Sequence, residues 1–409
     1  MKDLTTILQT SSVGRPINPN LRYGGTARVI MYLDKEFTRL GYNSLVAATG
    51  DSKVYGTLIE TIPESLSLFT MNGEKDNVVR PRKRHDELSE EHYSLILDYI
   101  LKNKIDVVHE HPGSGILISK RFKEVTNSIK TPILVTLHGA FSENYRERYN
   151  NWNLAAKENG NVYFNSISQN QKKSFEENGF NIEGMIYHGI PLKNFELQED
   201  KLNYFFSLGR ICPKKGQHLA VKVAKETGIP LIIGGEINSA HHNYWKESIE
   251  PYLTSSITEI PESKQEDYKN SLVEKLNSKE DILNEKEIIF IGSLTDKQKI
   301  SFYKNAKFFI MPIQWQEPFG LTIIESMACG TPVIATGFGS VPEIIKNNKT
   351  GVIIKKTDNE KEIIKSIIES TEKIKNIKPY DCRNHVEENF SIEKEAKNYI
   401  ELYQRILNE

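Results

Sequence analysis

A chain of 409 residues exceeds what one hydrophobic core usually organises, so two domains are expected. Its 53 Lys and Arg stand against 54 Asp and Glu, and the missing basic excess argues against a nucleic-acid partner. The three cysteines, Cys212, Cys329 and Cys382, are scattered, which suits a reducing compartment, excludes a disulfide framework and gives no metal-ligand spacing. The first eight residues are too few and too polar for a signal peptide, and no apolar run approaches the roughly 18 residues of a membrane span. A cytoplasmic protein is expected, with peripheral contact at the inner face of the membrane as the most that this composition allows.

Short apolar runs alternate with stretches of helical period, which predicts βαβ units and parallel sheets. In the first half, strands are expected at 5–10, 44–49, 106–109, 133–138, 161–164 and 185–188, and helices at 26–40, 90–102 and 169–178. The basic run Arg80-Pro81-Arg82-Lys83-Arg84-His85 reads as a solvated loop, with docking to an anionic lipid surface or a phosphorylated acceptor as the sharper alternative. Gly189, Pro191 and a polar run break the alternation at 190–201, the expected hinge. The second half predicts strands at 204–208, 230–234, 288–291, 308–311, 333–335 and 351–354, and helices at 217–227, 296–305 and 320–329. Residues 237–287, rich in Glu, Lys, Ser and Asn, exceed any connection a compact α/β domain needs and read as an insertion of solvated helices and loop, with an acceptor-gripping or partner-binding role as the alternative. The chain thus divides into a first domain over 1–192, a second over 193–385 and a closing helix within 386–409. On that helix Ile392, Ala396, Tyr399, Ile400, Tyr403 and Ile406 share one face.

The chemistry concentrates at strand ends, where open α/β sheets bind ligands. Glu317 and Glu325 bracket a Pro-Phe-Gly turn and the start of a helix that Gly330 and Pro332 stop. Glu317 precedes a turn and Glu325 sits among Ile323, Ile324 and Met327, where an unpaired charge is costly. A ligand carrying hydroxyls and phosphates would resolve both. Arg210 and Lys215, in Leu208-Gly209-Arg210 and Lys214-Lys215-Gly216, offer a forked donor and a point charge suited to a diphosphate. Gly24 and Gly25, after the first strand, allow close backbone approach and open a helix whose N–H groups favour an anion. His138 ends another strand, where a histidine is commonly just a hydrogen-bonded loop residue. His109-Glu110-His111 has metal-like spacing but no evident third ligand, and is read as cleft lining. No Asp-x-Asp triplet occurs anywhere.

The stretch from Glu317 through Gly330 to Ala335, together with Gly209-Arg210-x4-Lys215-Gly216, closely resembles the donor-site signature of family 4 retaining glycosyltransferases. The resemblance extends over nearly the whole chain. It implies an α/β GT-B fold: two Rossmann-like domains facing across a cleft, with the last helix crossing back onto the first. It implies a nucleotide-sugar donor, a UDP-sugar on family frequency, and a glycan, lipid-linked or small-molecule acceptor. No metal and no further cofactor are implied, because Arg210, Lys215 and helix N-termini replace a metal-binding Asp-x-Asp. The resemblance assigns the ribose hydroxyls to Glu325, the donor sugar to Glu317, the pyrophosphate to Arg210 and Lys215, and a place beside the transferred sugar to His138. Gly24 and Gly25 would reach the donor phosphates, and Gly235 and Gly292 would enclose the nucleobase and ribose. Phe319, Gly320, Leu321 and Thr322 would complete the donor site. Close relatives read Gly-Gly-Thr-Glu-Arg at the glycine loop, where this chain has Ala27. A non-catalytic nucleotide-sugar-binding protein and a sugar phosphorylase or epimerase on the same fold are the competing readings. A nicotinamide oxidoreductase is disfavoured, since no Gly-x-Gly-x-x-Gly follows the first strand.

Overall fold

Short apolar runs become parallel strands when helices cover both faces of the sheet, and both halves of this chain are built that way. The computed structural model describes residues 4–22, 24–66, 82–111, 115–279 and 283–408. In the first half, β1 (Thr6–Thr10), β2 (Asn43–Ala48), β3 (Thr57–Glu60), β4 (Val107–Glu110), β5 (Ile133–Thr136), β6 (Val162–Ser166) and β7 (Ile182–Met185) form one parallel sheet. Its order is β3-β2-β1-β4-β5-β6-β7. In the second half, β8 (Leu202–Leu208), β9 (Leu231–Gly234), β10 (Ser255–Ser256), β11 (Ile288–Gly292), β12 (Ala306–Met311), β13 (Val333–Thr336) and β14 (Gly351–Ile354) form another. Its order is β10-β11-β9-β8-β12-β13-β14, again parallel throughout.

Strand order reverses between β1 and β4 in the first sheet and between β8 and β12 in the second. At such a switch point the flanking helices diverge and leave a crevice outside the carboxyl ends of the strands. Each sheet therefore offers one position for a site.

The chain separates into a unit of Met1–Gly189 with Ile392–Glu409, and a unit of Ile190–Ser391. The closing helix, Ile392–Asn408, belongs to the first unit and buries Ile392, Ala396, Tyr399, Tyr403 and Ile406. The Tyr399 hydroxyl meets Thr136 Oγ1 at 3.2 Å, and Tyr403 meets His109 Nδ1 at 2.6 Å. The last helix is thus tied to the interior of the first sheet by phenol groups as well as by apolar area.

Several elements differ from expectation. The strand expected at 185–188 lies at Ile182–Met185, where Gly184 packs so closely that a Cβ would lie 2.7 and 2.8 Å from Leu402 and Asn165. The helix expected from 90 begins at Arg82, so Arg84 and His85 lie in a helical turn and not in a loop; Arg84 pairs with Glu87 one turn on, at 3.7 Å. Arg80 and Pro81 lie outside the described residues, as does Tyr23 of the glycine loop. Residues 237–287 are not simply solvated. They supply β10, a helix His242–Ser248 and a helix Glu262–Asn277, with Trp245, Ile249, Lys269 and Leu276 buried.

Candidate functional site

The β8/β12 switch point carries the residues that the sequence singles out in the second unit. After β8 the chain turns through Arg210, whose side chain is exposed, to Lys214-Lys215-Gly216 and the helix Gln217–Thr227. Gly216 has φ 71°, and a Cβ there would sit 1.9 Å from the carbonyl oxygen of Pro312. Only glycine lets the Lys215 turn approach the segment after β12 this closely. That segment brings Trp315 and Glu317. Lys215 Nζ donates to Glu317 Oε2 at 2.7 Å, and Trp315 Nε1 donates to the same oxygen at 2.8 Å. The Trp315 ring also lies under both ammonium groups, 5.2 Å from Lys214 and 5.4 Å from Lys215. Gly339 (φ 61°) clamps the other side: a Cβ there would lie 2.3 Å from the Glu317 nitrogen and oxygen, and Ser340 N–H donates to that oxygen at 2.9 Å.

Glu325 lies one helix on, in Leu321–Ala328, and is 2 % exposed. It is not the unpaired charge expected from its apolar neighbours. Lys299 donates to its Oε1 and the Tyr303 hydroxyl to its Oε2, the latter at 3.1 Å, while Lys299 also meets Asp296 at 3.0 Å. Removing one partner of such a buried pair costs far more than the pair itself contributes. The helix has Gly320 at its N-cap, no side-chain cap and no acidic residue in its first turn, so its amino end keeps unsatisfied N–H groups and positive potential. Leu321 and Thr322 are half-buried there. Phe319 is buried and packs edge-on against Phe390, so what it can offer a ligand is backbone. Gly235 and Gly292 meet directly: Gly235 N–H donates to the Gly292 carbonyl at 2.8 Å, joining the turns after β9 and β11.

In the first unit, Gly24 caps the helix Gly25–Arg39 without a side-chain bond and lines a cavity of about 330 Å³ with Ser11, Ser12, Arg15, Gly25 and Thr26. His138 follows β5. Its Nε2 lies 3.1 Å from His111 Nδ1, and its ring stacks on His188 at 5.1 Å. His111 Nε2 in turn meets Gln9 Oε1 at 3.2 Å. Burial first, then the neighbouring His188, holds the pKa of His138 well below the usual imidazole value. The expected cleft lining by 109–111 is corrected: all three side chains are buried, with His109 bonded to Thr136 and Tyr403, and Glu110 to Thr10. His188 Nδ1 meets Glu395 Oε1 at 2.8 Å, and Gly189 N–H donates to Oε2 at 2.7 Å. Among the described residues, no group of three or more His, Cys, Asp or Glu side chains is placed to hold a metal ion. No described helix is long and apolar enough to cross a membrane.

Sequence reasoning missed Trp315, Lys299, Tyr303 and Glu395. Trp315, two residues before Glu317, was visible as an aromatic beside a charge. Lys299 and Tyr303 share a helix face at i, i+4, but nothing local marks them as partners of Glu325.

Two doubly wound parallel sheets, the second with a cationic turn and two partnered glutamates at its switch point, make up the GT-B architecture. Residues 191–381, a little under half of the chain, match the family model for glycosyl transferases group 1. Spore coat protein SA of Bacillus subtilis is 32 % identical over 121 residues, 29 % of this chain and 32 % of that protein. The uncharacterized glycosyltransferase MJ1178 of Methanocaldococcus jannaschii is 23 % identical over 288 residues, 68 % of each chain. Among solved structures, sucrose-phosphate synthase of Thermosynechococcus elongatus shares the fold at TM-score 0.70 and 16 % identity, covering 99 % of both chains. Anabaena Alr3699/HepE, solved in complex with UDP, matches at TM-score 0.63 and 15 % identity, also over 99 % of both.

Proposed function

We propose that this protein is a retaining glycosyltransferase that moves a sugar from a UDP-sugar to a glycan, lipid-linked or small-molecule acceptor without a metal ion. The observation that carries this reading is the joining of Lys215 and Glu317 at the β8/β12 switch point, 2.7 Å apart, beside an uncapped helix N-terminus. A cation suited to a diphosphate and a carboxylate suited to sugar hydroxyls are thereby held side by side. The fold shared with a UDP-bound structure supports the choice of nucleotide.

In this reading Arg210, Lys215 and the amino end of the Leu321–Ala328 helix stabilise charge that builds up on the departing diphosphate. That is electrostatic assistance, and these groups take the place of a divalent cation. Glu317 receives Lys215 and Trp315 on Oε2, and its Oε1 orients the donor sugar. Glu325 keeps its two partners, and each carboxylate oxygen still has a lone pair for a ribose hydroxyl. Gly235 and Gly292 supply the backbone around base and ribose. His138, Gly24 and Gly25 are the first unit's contribution, to sugar and phosphate, by resemblance to the family. Cytoplasmic placement with peripheral membrane contact fits lipid-linked acceptors.

The test is a thermal-shift panel of nucleotide sugars, followed by anomeric NMR of the product formed in EDTA. An α-linked donor should yield an α-linked product without added metal. A β-linked product would overturn retention, and a requirement for Mn²⁺ or Mg²⁺ would overturn the metal-free reading. Turnover of the donor by phosphate alone would move the protein to the phosphorylases.

A further inference from the structure

Residues 237–287 carry a buried lysine that the proposed chemistry does not use. Lys269, on the Glu262–Asn277 helix, is 3 % exposed. A lysine is seldom buried so completely unless its ammonium is fully partnered. Its Nζ donates to the Ser293 carbonyl at 3.1 Å and pairs with Glu266 at 3.3 Å. Ser293 follows Gly292, whose carbonyl holds the Gly235 N–H, so Lys269 grips the far side of the joined β9 and β11 turns.

The same helix face reaches further. Gln298 Nε2 donates to Glu266 at 2.7 Å and to Asn270 at 3.1 Å, while Gln298 closes a capping box with Thr295 at the start of the Asp296–Asn305 helix. The next residue is Lys299, the ion-pair partner of Glu325. Glu266, paired with Lys269, and Asn270 are thus bonded to Gln298, and the next residue along the chain, Lys299, carries the connection to Glu325. A second, separate tie comes from the His242–Ser248 helix. The Tyr244 hydroxyl accepts the His218 N–H at 3.1 Å and meets His218 Nδ1 at 2.9 Å, three residues after Lys215, on a helix with no side-chain cap of its own.

We propose that residues 237–279 brace the nucleotide-sugar site, and that Lys269 is a positioning residue that sets the Ser293 turn and the Lys299–Glu325 pair. Its geometry is selective. The turn after β11 and the helix bearing Lys299 are held by one ammonium and one carboxylate from the same helical turn, and the β9 turn follows through the Gly235–Gly292 bond, whereas a solvated insertion would leave these groups to water. This inference rests on the donor-site reading above.

The experiment compares Lys269→Met, the milder Glu266→Gln and Glu325→Ala with the full-length parent protein. Titrations with UDP, GDP and ADP are followed by donor kinetics with the tightest. Lys269→Met should weaken nucleotide binding and raise the donor KM by about tenfold, with kcat nearly unchanged, as expected for coupling through a contiguous network. Glu266→Gln, whose side chain is partly exposed, should shift both the same way by about threefold with little loss of fold. A lysine that only stabilises the fold would lower Tm and the active fraction, seen as a lower apparent kcat at unchanged KM and nucleotide Kd; that outcome overturns the proposal. Should Glu325→Ala bind nucleotide as tightly as the parent, or should the parent bind none of the three, the donor-site reading itself fails and takes the brace with it. Loss of binding in Glu325→Ala, with parental affinity in both other variants, overturns the brace alone.

Discussion

At the carboxyl edge of the second sheet, charge is fixed: Lys215 meets Glu317 and Lys299 meets Glu325, each pair largely out of water. At the same edge of the first sheet the furnishing is a run of imidazoles and phenols, His109, His111, His138, His188, Tyr399 and Tyr403. Burial pushes the pKa values of His109, His111 and His138 well below the imidazole range, and that of His188 down to about 3. One edge is therefore built from ion pairs. The other holds neutral donors and acceptors, of which only His138 is not buried. The contrast predicts that substitutions in the second unit act through charge and those in the first through hydrogen bonding and pH.

The largest effect is expected at Glu325. Replacement by alanine leaves Lys299 buried with Asp296 as its remaining carboxylate, so a loss of about 3 kcal/mol in stability should accompany the loss of nucleotide binding. Glu325→Gln, which keeps the volume, separates the two by calorimetry and denaturant titration. A fully stable Glu325→Ala protein would show that the pair is not the anchor described. Lys215→Ala comes next: kcat should fall by about 100-fold, more than KM rises, because leaving-group charge is greatest in the transition state. A pure KM effect would reduce Lys215 to a ground-state contact. Trp315→Phe keeps the ring but loses the bond to Glu317, and should cost about fivefold in kcat/KM.

How much of this was legible in the sequence depended on whether the signal was local. Tyr204-Phe205-Phe206, Leu231-Ile232-Ile233 and Ile288-Ile289-Phe290-Ile291 announce buried parallel strands by composition alone, and each is one. The helix Arg146–Asn159 escaped notice because it buries only Tyr149, Trp152 and Ala155, a stripe too thin to show periodicity among its polar residues. The helix Glu262–Asn277 looked solvated for a related reason: Lys269 resembles a surface residue until the Ser293 carbonyl, 24 positions away, is known as its partner. At the site, Glu317 and Lys215 stood out through their turn and glycine context. Lys299 and Tyr303 did not, since their meaning lies in Glu325, 26 and 22 residues on. Local grammar reveals strands and loops, whereas pairing across elements requires the fold.

The smallest and sharpest prediction concerns protons in the first unit. Burial drives the pKa of His188 down to about 3 and that of its partner Glu395 well up. Whichever of the two holds it, the folded pair carries one proton. Unfolded, between pH 4.5 and 6.5, the pair also carries one, on the free imidazole, so it adds nothing to the pH slope in that window. His109, His111 and His138 behave otherwise. Their folded pKa values are depressed, the unfolded chain binds more protons below pH 6.5, and stability falls as pH falls. Glu395→Gln removes the compensating carboxyl while keeping an acceptor for Gly189 N–H. His188 then joins the other three, and the loss of stability on acidification between pH 6.5 and 4.5 should steepen by about 1.4 kcal/mol per pH unit, one proton's worth. Denaturant midpoints for the parent and Glu395→Gln, measured at several pH values across this window, give the difference directly. Parallel curves would mean that His188 is already uncoupled from Glu395, and would remove the buried pair from the description of the neutral edge.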